Sequence, residues 1–289
     1  MFNYAIVTDS SADLTAAMVA EAGVEVLPLS FLMEGQTYRN YPDNREMDPH
    51  WFYDRLRQGA MATTSAVNVA QYMETLEPLL RAGQDVLVLA FSSGLSATYS
   101  SAVMAAEELT ERYPQRKIYV VDTLCASLGQ GLLVWLAARE REKGKSIDEV
   151  REWAEQTKLH ICHEVTVDDL DTLKRGGRIS ATTAVLGSML QIKPIIYVND
   201  EGKLINVAKS RGRNASLKTL VDRMEERVDG SVDTVFISHG DCLEDAKAVG
   251  EMVKERFGMP AVYYNHVGPV IGAHTGPGVV ALCYVGKGR

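Results

Sequence analysis

Four times in this chain a short, uninterrupted apolar run stops in a loop of Ser, Thr, Asp and Gly and then enters a helical pattern. The runs are Tyr4-Ala5-Ile6-Val7 into Thr8-Asp9-Ser10-Ser11, and Val86–Phe91 into Ser92-Ser93-Gly94. The others are Ile118–Val121 into Asp122-Thr123, and Thr234–Ile237 into Ser238-His239-Gly240-Asp241. Continuous rather than alternating apolar runs belong to strands covered on both faces, as in a parallel sheet. Helical periodicity follows at about 15–22, 96–112, 127–143 and 243–256, so strands and helices alternate and the fold class is α/β. The expected helix ends agree. Gly23 supplies a left-handed terminus, Asp48-Pro49 a cap followed by proline at the first helical position, and Asn68/Gln71 and Ser146/Glu149 two capping boxes.

The second half reads differently. Residues 160–167 and 193–198 look like strands, and Lys203–Ala208 returns after the turn Asn199-Asp200-Glu201-Gly202 as the partner in an antiparallel hairpin. A helix at 213–228 and strands near 232–238, 260–265 and 279–285 complete a mixed-sheet α+β pattern. With 289 residues, about two domains are expected. The boundary falls near 160, giving an N-terminal parallel-sheet domain over 1–159 and a C-terminal mixed-sheet domain over 160–289.

Thirty basic against 38 acidic residues leave a net charge of −8, which disfavours nucleic acid as a partner. Cys125, Cys162, Cys242 and Cys283 are widely spaced and read as free thiols in a reducing compartment. An acid by position 9 argues against a signal peptide, and no apolar run approaches the roughly 18 residues of a membrane span. The expected location is the cytoplasm, with transient membrane contact left open. No P-loop or dinucleotide fingerprint is present. His160, Cys162 and His163 would face both sides of a strand and so cannot converge on a metal without help from elsewhere. No metal is expected.

Four polar constellations remain. Thr63-Thr64-Ser65 form a hydroxyl-rich loop before the Asn68-capped helix. Ser92-Ser93-Gly94-Leu95-Ser96 lie at a strand's carboxyl end, where open α/β sheets bind ligands and where a helix N-terminus offers free N–H groups to an anion. Lys174-Arg175-Gly176-Gly177-Arg178 place an arginine on a sharp turn, able to make two parallel hydrogen bonds to an oxyanion and to reach outward. Gly272-Ala273-His274-Thr275-Gly276-Pro277-Gly278 hold a histidine on what reads as a constrained turn.

These phrases, with Thr8-Asp9-Ser10-Ser11-Ala12-Asp13 and Val121-Asp122-Thr123, resemble the DegV family in order and spacing over essentially the whole chain. The resemblance implies a bacterial two-domain fatty-acid-binding protein without catalysis or cofactor of its own. Such a protein would serve phospholipid metabolism as the lipid-presenting subunit of fatty acid kinase. A separate ATP-binding subunit would phosphorylate the carboxylate to an acyl phosphate. The family's carboxylate-binding threonine falls on Thr64, and its serine on Ser93 or Ser96. The histidine falls on His274, and Ser65 is grouped with these hydroxyls. Arg178 is assigned to the partner or acyl-phosphate network. Two departures stand out: Ala66-Val67-Asn68 where the family often has Gln-Pro-Ser, and Ala97 where it often has Gly. A helix expected after Arg178 would set Val185, Leu186, Met189 and Leu190 on one face as an acyl-chain wall. The different-class alternative is a stand-alone acyl hydrolase or acyltransferase using Ser93 or Ser96 with His274.

Overall fold

The computed structural model describes residues 3–168, 170–179, 191–228, 230, 232–258 and 260–289. The chain begins with β1 (Tyr4–Asp9), α1 (Ala16–Ala22), β2 (Glu25–Leu27), β3 (Ser30–Met33), β4 (Gln36–Arg39) and α2 (Pro49–Arg57). It continues through β5 (Ala62–Ser65), α3 (Val69–Arg81), β6 (Asp85–Ala90), α4 (Thr98–Arg112), β7 (Ile118–Asp122), α5 (Ser127–Glu142) and α6 (Ile147–Thr157). The remainder is β8 (Ile161–Thr166), α7 (Asp171–Arg175), β9 (Ile192–Val198), β10 (Leu204–Arg211) and α8 (Arg213–Arg227). Last come β11 (Thr234–His239), α9 (Leu243–Phe257), β12 (Ala261–His266), α10 (Pro269–Thr275) and β13 (Val280–Val285).

Three sheets result. The parallel sheet runs β2-β1-β6-β7, a small antiparallel sheet runs β4-β3-β5, and a six-stranded mixed sheet runs β10-β9-β8-β13-β11-β12. All four repeated apolar runs form strands. Three lie in the parallel sheet; the fourth, β11, pairs in parallel with β12 and antiparallel with β13 in the mixed sheet. The expected hairpin is β9–β10, with a bulge between Asn206 and Ala208. Asn68 and Ser146 both complete their capping boxes, and Gly23 ends α1 in the left-handed region.

Helix α5 sits where the two larger sheets meet. It is buried on nearly every side, so its sequence shows no polar face from which solvent exposure could be read. One continuous core cluster joins its Leu128, Leu132 and Trp135 to Ile6 and Leu87 of the parallel sheet and to Phe236 and Cys283 of the mixed sheet. Among the described residues no helix is long and apolar enough to cross a membrane.

The expected loop at 62–65 is instead an edge strand, paired antiparallel with β3. The expected turn around His274 is instead helix α10, which starts from Pro269 at its first position. Val185, Leu186, Met189 and Leu190 lie outside the described residues.

Candidate functional site

A cavity of about 210 Å³ lies between the mixed sheet and the loops that leave the parallel and small sheets. Its wall is mostly apolar. Val165 on β8, Ile196 on β9 and Ala281 on β13 form its sheet side, while Phe91, Leu95 and Val267 come from the connecting segments. The strand period explains this lining: Val279 and Ala281 face the inner cluster, whereas Val280 and Leu282 point to the core beneath α8 and α9.

Polar groups gather in one part of the wall. Strand β5 alternates half-buried and exposed residues, which turns Thr64 inward. Thr64 Oγ1 lies 2.8 Å from His274 Nε2. His274 occupies the last turn of α10, and its other nitrogen, Nδ1, is buried without a hydrogen-bond partner. That nitrogen presses against the backbone of Gly176; a Cβ there would stand 2.4 Å from it, so only glycine leaves room. Burial, and after it the charge of Arg178, pushes the His274 pKa down to about 4. The imidazole is therefore neutral at pH 7. The tautomer protonated on Nε2 leaves no orphaned N–H at Nδ1 and donates to Thr64 Oγ1. The threonine hydroxyl proton is then free to point into the cavity.

Arg178 does not reach outward. Gly177 takes φ +71°, the Arg178 N–H bonds to Leu173 O at 3.0 Å, and the side chain folds back. Its Nε donates to Leu95 O at 3.3 Å and its guanidinium also meets Gly176 O. The group is half-buried on the cavity wall. Ser96 precedes α4 and accepts the Thr98 N–H at 3.2 Å, supplying the cap that Ala97 lacks.

Thr64, Ser65, Ser96, Arg178 and His274 thus share one cavity. Ser93 does not: it is exposed, off the cavity wall, with its N–H donating to Asp122 Oδ1 at 3.1 Å. Three polar residues on the wall, His163, Ser127 and Thr275, were not among the expected site residues. His163, inside β8, is buried and receives the Ala126 N–H at 3.4 Å. Ser127 donates to Asp13 Oδ2 at 2.6 Å, and burial raises that carboxyl to about 7. No local pattern links positions 13 and 127, so nothing in the sequence could have flagged that pair.

The neutral state of His274 is directly measurable. Its imidazole resonance, assigned against His274→Gln, should hold the neutral shift from pH 8 to below 5 and titrate near 4. In Arg178→Ala the midpoint should rise, because a repelling cation is gone. A wild-type midpoint at the ordinary value near 6.5 would contradict this geometry.

The fold and cavity together define a mixed α/β protein with a mostly apolar chamber whose wall also carries hydroxyl, imidazole and guanidinium groups. The family model described as "Uncharacterised protein, DegV family" matches residues 3–287, and the chain belongs to the DegV family. A DegV domain-containing protein of Clostridium perfringens is 46% identical over 287 residues, covering 99% of this chain and 98% of the relative. The solved structure titled as fatty acid binding of a DegV family protein from Thermus thermophilus superposes with a TM-score of 0.86 at 30% identity, covering 99% of this chain and 100% of that one. DegV of Bacillus subtilis, titled a fatty acid binding protein, gives a TM-score of 0.85 at 27% identity, again covering 99% and 100%.

Proposed function

We propose that this protein binds a long-chain fatty acid in the chamber and presents its carboxylate to a separate ATP-binding kinase subunit. The observation that carries the reading is the coincidence in one cavity of an apolar wall with the Thr64–His274 pair and Arg178. Each methylene taken from water into such a wall contributes about 0.8 kcal/mol. Thr64, which accepts from His274 and so keeps its own hydroxyl proton free, donates to the carboxylate, and Ser65 and Ser96 flank it. The N-terminus of α4 adds a partial positive charge. Arg178, a fixed cation on the same wall, complements the ligand charge and the acyl-phosphate charge that follows. The protein's contribution is to hold the carboxylate still for a partner's nucleotide, which lowers the entropic part of the barrier. In this reading residues 1–159 supply the head-group loops and 160–289 most of the chain pocket, and the protein works in the cytoplasm.

The local geometry does not favour a stand-alone hydrolase. Ser96 is engaged with Thr98, at 2.9 Å between hydroxyls, His274 Nε2 with Thr64, and Ser93 is off the cavity. The test is a reconstitution. Protein purified from its native host should release a fatty acid into organic solvent, identified by mass spectrometry. Acyl phosphate should form from that acid and ATP only when an ATP-binding kinase subunit is added. Turnover of an activated acyl ester by the protein alone would reinstate the hydrolase, and lipid-free protein that takes up no fatty acid would remove the proposal.

A further inference from the structure

We propose that His50, Asp241 and His266 form a binding site for a divalent transition-metal ion such as zinc, away from the chamber. The site is independent of the lipid reading. His50 is the second residue of α2, Asp241 lies in the loop after β11, and His266 ends β12. Among the described residues these three bring one donor atom each to within 4.8 Å of one another. His50 Nδ1 contacts Asp241 Oδ1, and His266 Nε2 lies 3.9 Å from the same oxygen. Ligands at the roughly 2.0–2.2 Å bond lengths of tetrahedral zinc stand about 3.3 Å apart, so the donors need only small adjustments.

Three further details suit an ion. His266 Nε2 is buried and has no hydrogen-bond partner, which is costly for an imidazole unless something else engages it. The Asp241 carboxylate is already oriented: Arg57 holds Oδ2 at 2.5 Å and the Asp241 carbonyl at 3.0 Å, which leaves Oδ1 for the two imidazoles. The ring of His266 is braced by His239, 4.4 Å away between centroids, and His239 is itself fixed by the Cys242 N–H donating to its Nδ1 at 3.3 Å. Such supporting contacts set the orientation of metal ligands in general. Two imidazoles and one carboxylate select zinc and its neighbours over magnesium or calcium, which prefer all-oxygen sites. His50 is exposed, so solvent can complete the coordination.

The bound ion would tie α2 to the ends of β11 and β12. The tie would act beside an existing link, since Tyr53 on α2 donates to Val267 O at 2.8 Å, one residue beyond His266. The experiment uses full-length protein stripped with a chelator and titrated calorimetrically with ZnCl₂, and with CoCl₂ by visible absorption. One ion per chain should bind, MgCl₂ should give no heat, and zinc should raise the melting temperature. His50→Ala, at an exposed position, and Asp241→Asn, which keeps a residue suited to φ +56°, should each weaken zinc by at least ten- to a hundredfold. His160→Ala, an exposed histidine at the opposite end of the mixed sheet, should leave the affinity unchanged. Absence of zinc binding, affinity unchanged from the wild type in His50→Ala and Asp241→Asn, or an equal loss in His160→Ala would each overturn the site.

Discussion

Replacing Thr64 with Val is expected to weaken fatty-acid binding by roughly ten- to a hundredfold while the fold survives. Valine has the same shape, and Thr64 sits half-buried on an edge strand, so packing changes little. What is lost is the hydroxyl. A hydrogen bond to a charged carboxylate contributes about 1.5–3 kcal/mol, and its removal also leaves His274 Nε2 without its 2.8 Å partner. Thr64→Ser, which keeps the hydroxyl, should restore most of the affinity. Ser65→Ala should cost less, because Ser65 is exposed and competes with water for the same ligand oxygen. Calorimetric titration with a long-chain acid and a thermal melt of each variant decide it. If Thr64→Val binds as the wild type does, the carboxylate lies elsewhere in the chamber.

Arg178 separates two roles in the same assay series. Its side chain lines the cavity and bonds the Leu95 carbonyl, so Arg178→Ala should weaken binding as well as phosphorylation. Loss of phosphorylation at unchanged affinity would instead place its effect at the partner. Arg178→Lys distinguishes charge from shape: the cation stays, but a single ammonium cannot reproduce the guanidinium's contacts to Leu95 and Gly176.

The strands buried on both faces were legible because Val86–Ala90 or Thr234–Ile237 can satisfy so many apolar side chains only inside layers of structure. Helix ends were legible for a different reason: caps such as Asn68 and Ser146 act through neighbours three residues away, and sequence shows those directly. Strand β5 was not legible. Ala62-Thr63-Thr64-Ser65 carries no large apolar side chain, and its place is set by β3, whose Phe31 and Met33 are buried opposite it. Helix α10 was hidden by glycine. Gly272 reads as a helix breaker, yet a Cβ there would stand 2.6 Å from Tyr53 Oη, so the close packing of α10 on α2 requires it. Of the expected polar residues, Thr64, Ser65, Ser96, Arg178 and His274 line one cavity and Ser93 does not, and their directions were not legible. Ser93 and Ser96 are equivalent in a string of letters. Only the turn before α4 decides that Ser96 meets the cavity, as only the bend at Gly177 decides that Arg178 folds inward.

Ala281→Phe is expected to shorten the longest acid the protein accepts. Ala281 is buried on β13, faces the chamber, and pairs with Val165 on β8, another wall residue. A phenyl ring there extends into the cavity rather than into packed core, so the usual overpacking cost of about 1–3 kcal/mol is largely avoided. The ligand bears the loss instead. If the ring excludes the last four methylenes of an eighteen-carbon acid, about 3 kcal/mol of transfer free energy goes, roughly a hundredfold or more in affinity. An acid short enough to stop before the ring should bind as it does to the wild type. The measurement is affinity against chain length from ten to eighteen carbons, with the melting temperature as the fold control. Val165→Phe, projecting from the neighbouring strand, should shift the length limit in the same direction and covers the case in which Ala281→Phe folds poorly. A uniform loss at every length would mean that the ring disturbs the head-group site. No loss at any length would mean that the tail does not run along β13, because a chain in contact with that strand cannot escape a ring placed on it.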